Sequence, residues 1–229
     1  MMPRTCTICG RPLNLKEEVI CLSCLSDLPL THFSEYSHNP MADAFNGRID
    51  EEDSGRYCYA AALVHYRKGS RYVSIPRKLK YGRDFREGRF FASMLGKELA
   101  ASPHFRDIDL VVPVPLHWYR KWRRGYNQAT IIALQVAKYL TEARVEERLI
   151  KRIRNTSTQT ALDIEEKRLN VSGAFVARRR GKTPAAAHIL IVDDVFTSGA
   201  TAAECYRALR SIYGEGTRIS VATLAFAGD

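Results

Sequence analysis

The stretch Ile189-Leu190-Ile191-Val192-Asp193-Asp194-Val195-Phe196-Thr197-Ser198-Gly199-Ala200-Thr201 holds the residues best suited to chemistry. Its leading apolar run, from a strand that starts at His188, reads as buried on both faces, and the small residues after the two acids read as a turn entering a helix. A helix N-terminus offers unsatisfied backbone N–H groups and the positive end of the helix dipole, so the turn Thr197 to Thr201, Ala200 included, can hold a phosphate dianion. Gly199 permits close backbone approach, and the hydroxyls of Thr197, Ser198 and Thr201 add donors. Asp193 and Asp194 stand too near the turn to be phosphate ligands, because like charges repel, but their acceptors suit sugar hydroxyls. A phosphate cradle with two carboxylates beside it describes a ribose 5-phosphate. No Lys-Ser or Lys-Thr follows Gly199, so this is no Walker loop, and the three spaced glycines of a dinucleotide fingerprint are missing. The plain alternative is a sheet element with polar residues at a helix cap.

Cys6, Cys9, Cys21 and Cys24 form two paired arms, Cys6-Thr7-Ile8-Cys9 and Cys21-Leu22-Ser23-Cys24. The N-terminus lacks the apolar stretch of a signal peptide and no run approaches the roughly 20 apolar residues of a spanning helix, so a cytoplasmic location is expected. Thiols stay reduced there, and paired spacing reads as a closed tetrahedral Zn²⁺ site of structural type. The alternative, two chance pairs of core cysteines, asks a very small segment to bury them without metal. Cys58 and Cys205 read as core packing.

In His117-Trp118-Tyr119-Arg120-Lys121-Trp122-Arg123-Arg124, rings alternate with cations on a loop after a strand. Trp118 and Trp122 could stack bases while Arg120 and Arg123 follow phosphates, as in single-strand binders. The same loop could hold pyrophosphate through Arg124, or be an exposed basic loop whose rings pack on the domain. Arg67 to Arg89 is a second basic stretch, with Lys78, Lys80, Arg83 and Arg86, and reads most simply as a solvated helix face. The net charge of +10 favours an anionic partner without choosing among nucleic acid, polyphosphate and acidic protein.

These groups need elements to position them. In 229 residues, 45% hydrophobic and 26% charged, there is room for one α/β domain and a small appendage, and disordered or fibrous classes are excluded. We expect a zinc ribbon over 1–30, a polar linker over 31–54 with the acidic run Asp50 to Asp53, and the main domain over 55–229. Tyr57 to Tyr66, Asp109 to Val114, Arg148 to Ile153, Ile189 to Val192 and Ile219 to Phe226 read as strands, the fourth at the sheet's centre. Helices are expected at Pro76 to Gly82, from the Asp84 and Glu87 capping box to about Ala101, after Asn127, from Asp163 and Glu166 to about Asn170, and along Ala202, Cys205, Tyr206, Leu209 and Ile212. Alternating strands and helices predict a mainly parallel sheet flanked by helices.

The acidic and Thr-Ser-Gly-Ala-Thr segment resembles the 5-phosphoribosyl-1-pyrophosphate (PRPP) motif of type I phosphoribosyltransferases. Pro113-Val114-Pro115, Arg124-Gly125-Tyr126-Asn127-Gln128, Arg154 to Thr160 and Lys167 to Phe175 are similar, in order, to motifs of the ComF family, and the cysteine pairs resemble its zinc ribbon. The resemblance implies a type I phosphoribosyltransferase-like fold and PRPP bound by Asp193, Asp194 and Thr197 to Thr201. It further implies Mg²⁺ arriving with PRPP, pyrophosphate contacts from Arg124 and Arg154, and a hood over Arg154 to Asp163, which otherwise reads as a surface connection. A role in natural competence follows from it, on incoming DNA and beside competence machinery proteins. Two functions stay open: a phosphoribosyltransferase, or a non-catalytic single-stranded DNA-binding protein that uses the cleft as a sensor or phosphate site.

Overall fold

The computed structural model describes residues 4–49, 57–76, 85–154, 173–178 and 184–228. Five strands form one parallel sheet in the order β1 (Ala60–His65), β7 (Arg218–Phe226), β6 (His188–Phe196), β2 (Leu110–Pro113) and β3 (Arg144–Val145). β4 (Ile150–Arg152) and β5 (Phe175–Ala177) pair as a separate antiparallel hairpin. The central strands are buried along their length because helices cover both faces, which is why they read as continuous apolar runs.

The chain moves one way across the sheet from β2 to β3 and the other way from β6 to β7. Right-handed crossovers therefore put their connecting helices on opposite faces. One face carries Arg86–Ala101 and Gln128–Val136, the other Pro40–Ile49 and Ala200–Tyr213. The first pair approaches closely at Gly96, where a β-carbon would lie 2.7 Å from the Tyr139 ring and 3.2 Å from the Val136 α-carbon. In the second pair Phe45 meets Tyr206 edge to face, centroids 5.8 Å apart.

The segment expected as a linker is corrected by the structure. Pro40–Ile49 is a helix whose Met41, Ala42, Phe45 and Ile49 are core residues. Its polar residues concealed it. Asn39 accepts from the Ala42 N–H at 2.9 Å while its amide donates to the Ala60 carbonyl at 2.9 Å, and buried Asn46 exchanges bonds of 2.9 and 2.8 Å with the backbone of Cys58. Asn39, just ahead of the helix, and Asn46, within it, satisfy the backbone of β1 and of the residues leading into it, work that apolar periodicity does not register. The acidic run Asp50 to Asp53, the expected helix beyond Pro76 with Lys78, Lys80 and Arg83, the Asp84 half of the capping box, and the helix from Asp163 lie outside the described residues.

Residues ahead of that helix finish the outer edge of β1. Leu30 bridges Val64 in antiparallel sense, the Thr31 N–H donates to the Leu63 carbonyl at 3.0 Å, and the His65 N–H donates to the Pro29 carbonyl at 2.8 Å. The sheet edge is covered, and the N-terminal cysteine unit is docked onto the domain.

Candidate functional site

The crevice lies where strand order reverses. β2 and β6 are neighbours whose following helices diverge to opposite faces, and open α/β sheets bind ligands outside the carboxyl ends of such strands. The pairing of β6 with β2 ends at Val192, after which the Val114 N–H still reaches the Val192 carbonyl at 2.9 Å. β6 nevertheless continues beside β7 as far as Phe196 and Phe226.

Asp193 and Asp194 thus sit on the strand, where the apolar run had predicted an end at Val192. Consecutive strand residues face opposite sides of the sheet. Asp193 acts on Cys205 of the helix Ala200–Tyr213, whose thiol is pushed up by burial and then by the Asp193 carboxylate. Asp194 is buried, and its N–H donates to Asp193 Oδ1 at 2.8 Å.

The turn after Phe196 has the form the sequence predicts. Gly199 is the N-cap of Ala200–Tyr213 in left-handed conformation, φ 74°, and a β-carbon there would lie 2.7 Å from the Phe196 ring. Both the angle and the ring require glycine. Thr197 is exposed, Ser198 and Thr201 half-buried, and no hydrogen bond joins their hydroxyls to other described residues. Hydroxyls and helix N-terminal N–H groups so placed can hold an anion.

Across the crevice, the segment after β2 is closed by Asn127, whose amide donates to the Val114 carbonyl at 2.9 Å and whose Oδ1 caps Gln128–Val136 through the Ala129 N–H at 3.3 Å. The expected loop is instead a short helix, Trp118–Arg124. Trp118 and Trp122, four residues apart, share a side of it and are 67% and 77% exposed, so the rings are not packed on the domain. Tyr119 stacks beside Trp122 at 6.4 Å and 30°. Arg123 is exposed, and Arg124 donates to Gln128 Oε1 at 3.3 Å; nothing is described of the Arg120 side chain.

In the N-terminal unit the Sγ atoms of Cys6, Cys9, Cys21 and Cys24 all lie within 4.8 Å of one another. Cys9 and Cys21 are 3.8 Å apart, and a tetrahedron with Zn–S bonds of about 2.3 Å has edges of about 3.8 Å. The Cys21 N–H donates to Cys6 Sγ at 3.3 Å and the Cys24 N–H to Cys21 Sγ at 3.5 Å. Burial would raise the Cys6 thiol, but backbone N–H groups of Cys21, Cys9 and Ile8 outweigh it and lower it to about 6. Cys24 is pushed up to about 12 by burial and by its three neighbours, as expected of thiols that crowd together. The cluster can hold a structural zinc ion.

No family model matches the chain. Competence protein F of Haemophilus influenzae is 35% identical over 105 residues, which are 45% of this chain and 45% of that protein. DNA utilization protein YhgH of Escherichia coli K12 is 36% identical over 97 residues, 42% of this chain and 40% of that protein. Over these stretches the chain is similar to competence and DNA-utilization proteins. The matched stretch is less than half the length of these curated relatives.

Two further cations, which no motif announces, stand around the turn and the helix it begins. Arg152 lies over the Phe175 ring at 5.2 Å and bears on the same Cys205 thiol as Asp193, and Arg48 reaches Gly199 from the helix Pro40–Ile49. Arg154, expected at pyrophosphate, is exposed just beyond β4. There the Ile153 N–H donates to the Ala174 carbonyl at 2.8 Å and the adjoining Gly173 N–H to Glu204 Oε2 at 2.6 Å, so the hairpin end stands beside the helix that the turn begins. Arg124 comes instead from the β2 side. The expected hood beyond Arg154 lies outside the described residues. No helix among the described residues is long and apolar enough to cross a membrane.

Proposed function

We propose that this chain is a member of the ComF family, that it binds PRPP or a related sugar phosphate at the crevice between β2 and β6, and that it acts in natural competence and DNA uptake on the cytoplasmic side. The observation that carries this reading is the join of two carboxylates to a glycine-capped helix N-terminus at the point where strand order reverses. The turn from Thr197 to Thr201 takes the 5-phosphate, Asp193 and Asp194 take ribose hydroxyls, and Arg124 and Arg154 approach the pyrophosphate. The names of the H. influenzae and E. coli relatives support the setting in competence and DNA use. In this reading residues 1–30 form a zinc-stabilised ribbon, and the remainder, with the helix Pro40–Ile49, is the ligand-binding domain.

Among the described residues the cysteine cluster is the one group of three or more His, Cys, Asp or Glu side chains gathered closely enough for a metal. Mg²⁺ would therefore be held chiefly by the pyrophosphate oxygens with one or two carboxylates, the usual habit of this ion. Bound so, it would supply charge neutralisation for a departing pyrophosphate.

A second reading rests on the exposed rings. Trp118, Tyr119 and Trp122 on a basic helix beside the crevice fit a stacking platform for single-stranded DNA, with the sugar-phosphate site as a sensor. Pyrophosphate release from PRPP with Mg²⁺, measured against free bases and short oligonucleotides, separates the two. Release that depends on an added base supports a phosphoribosyltransferase; binding of PRPP without release under any condition supports the sensor.

A further inference from the structure

We infer that Arg48 is a ligand of the phosphate held by the turn Thr197 to Thr201, a role that rests on the sugar-phosphate reading above and adds to it the cation which that reading lacks. Its δ-carbon lies 3.4 Å from the point a β-carbon of Gly199 would occupy. The guanidinium carbon is two bonds further along, so the charged tip belongs to the neighbourhood of the turn itself.

The backbone of Arg48 is fixed by a relay of contacts. Arg207 donates to the Arg48 carbonyl at 3.0 Å and pairs with Glu204 at 2.7 Å, and Glu204 receives the Gly173 N–H. Three separate parts of the chain thus meet around the first turns of Ala200–Tyr213. Arg207 holds the main chain of Arg48, and the side-chain stem passes beside Gly199. Only a glycine leaves room for that stem beside the Phe196 ring.

Charge balance gives the position its purpose. A phosphate monoester carries about −1.5 to −2 near pH 7, whereas a helix N-terminus supplies only about half a positive charge. Asp193, Asp194 and Glu204 stand near the same turn and make matters worse. Arg124 and Arg154 are assigned to pyrophosphate, and Arg152 lies over the Phe175 ring. Arg48 supplies the missing full charge, through a planar fork suited to phosphate oxygens. With about 150 residues between Arg48 and the turn, no local motif could have joined them.

Calorimetry with ribose 5-phosphate, and with inorganic pyrophosphate as the probe lacking a sugar phosphate, tests this on the full chain. Arg48→Gln should weaken ribose 5-phosphate roughly ten- to hundredfold, the loss expected for hydrogen bonds to a charged group, with pyrophosphate affinity and thermal midpoint unchanged. Arg48→Lys, which keeps the charge and loses the fork, should fall between. Wild-type affinity in a folded Arg48→Gln protein overturns the inference while leaving the sugar-phosphate site standing. If Arg48→Gln does not fold, Arg48→Lys decides, weakened ribose 5-phosphate binding supporting the role and wild-type affinity overturning it. A wild-type chain that binds neither PRPP nor ribose 5-phosphate overturns the site and this role together.

Discussion

The Tyr72 hydroxyl donates to the backbone carbonyl of Cys24 over 3.1 Å, between two buried residues. Nearby, Arg71 pairs with Asp27 at 2.7 Å. The metal cluster is thereby tied to the segment that follows β1, so loss of metal should be felt beyond the ribbon. We predict one zinc per chain, absent from Cys6→Ser with Cys21→Ser, and a lower unfolding temperature of the whole chain after chelation. Metal analysis of both preparations checks the first part, and equal zinc in the two would remove the claim. Tyr72→Phe should cost about 1 kcal/mol, the net worth of one hydrogen bond, by thermal denaturation.

At the opposite end of the sheet His188 is fully buried between Asp107, 2.8 Å from Nδ1, and Ser220 Oγ, 2.8 Å from Nε2. Arg218 engages the other oxygen of Asp107. A Ser-His-Asp set so enclosed has no route to a substrate, and we read it as structural. Burial lowers the His188 pKa to about 4, against the Asp109 carboxylate that would raise it. A lowered histidine favours the fold while neutral in both states, so its contribution is complete above about 6.5 and lost as pH falls towards 4.

Between those limits wild type should lose up to about 3 kcal/mol more stability than His188→Gln, measured by urea unfolding at pH 7 and pH 4.5. Glu98, raised to about 7 by burial and opposed by His32, contributes with the opposite sign, its penalty shrinking as pH falls. The comparison with the variant isolates His188. Parallel pH profiles in the two proteins would contradict the assignment.

Single-stranded DNA should bind better than duplex if Trp118 and Trp122 form a platform, since paired bases hide their faces. Trp118→Ala with Trp122→Ala should then cost roughly 1 to 3 kcal/mol per lost stack and leave the salt dependence nearly unchanged. Arg120→Ala with Arg123→Ala should instead flatten the slope of log affinity against log salt by about 0.7 per lost phosphate contact. Fluorescence anisotropy across a salt series reads both. Equal affinity for single and double strands, with no loss in the tryptophan variant, would leave the helix without this role.

The crevice was legible because its parts are contiguous: buried strand, acids, glycine turn and helix follow one another from His188 to Tyr213. The cysteine pairs were legible because two-residue spacing is itself a ligand geometry. The helix Pro40–Ile49 was not, since Asn46 takes a core position on its buried face to bond the Cys58 backbone. Strand propensity does not say where pairing stops, so the extension of β6 through Asp193 and Asp194 depends on β7 running beside it. Arg48 reaches the turn, and Arg152 the helix it begins, through tertiary packing alone, which no spacing in the sequence encodes.

The sugar-phosphate site is tested most directly by titrating PRPP with Mg²⁺ into the wild-type chain and into Asp193→Asn with Asp194→Asn, by calorimetry, with unfolding temperature as the control. Strand alternation turns the two carboxylates apart, so the single variants show how much each acid contributes to the ribose contact. The account predicts binding by wild type and clearly weakened binding by the double variant at an unchanged unfolding temperature. Failure of wild type to bind PRPP, or equal affinity in the double variant, would contradict it.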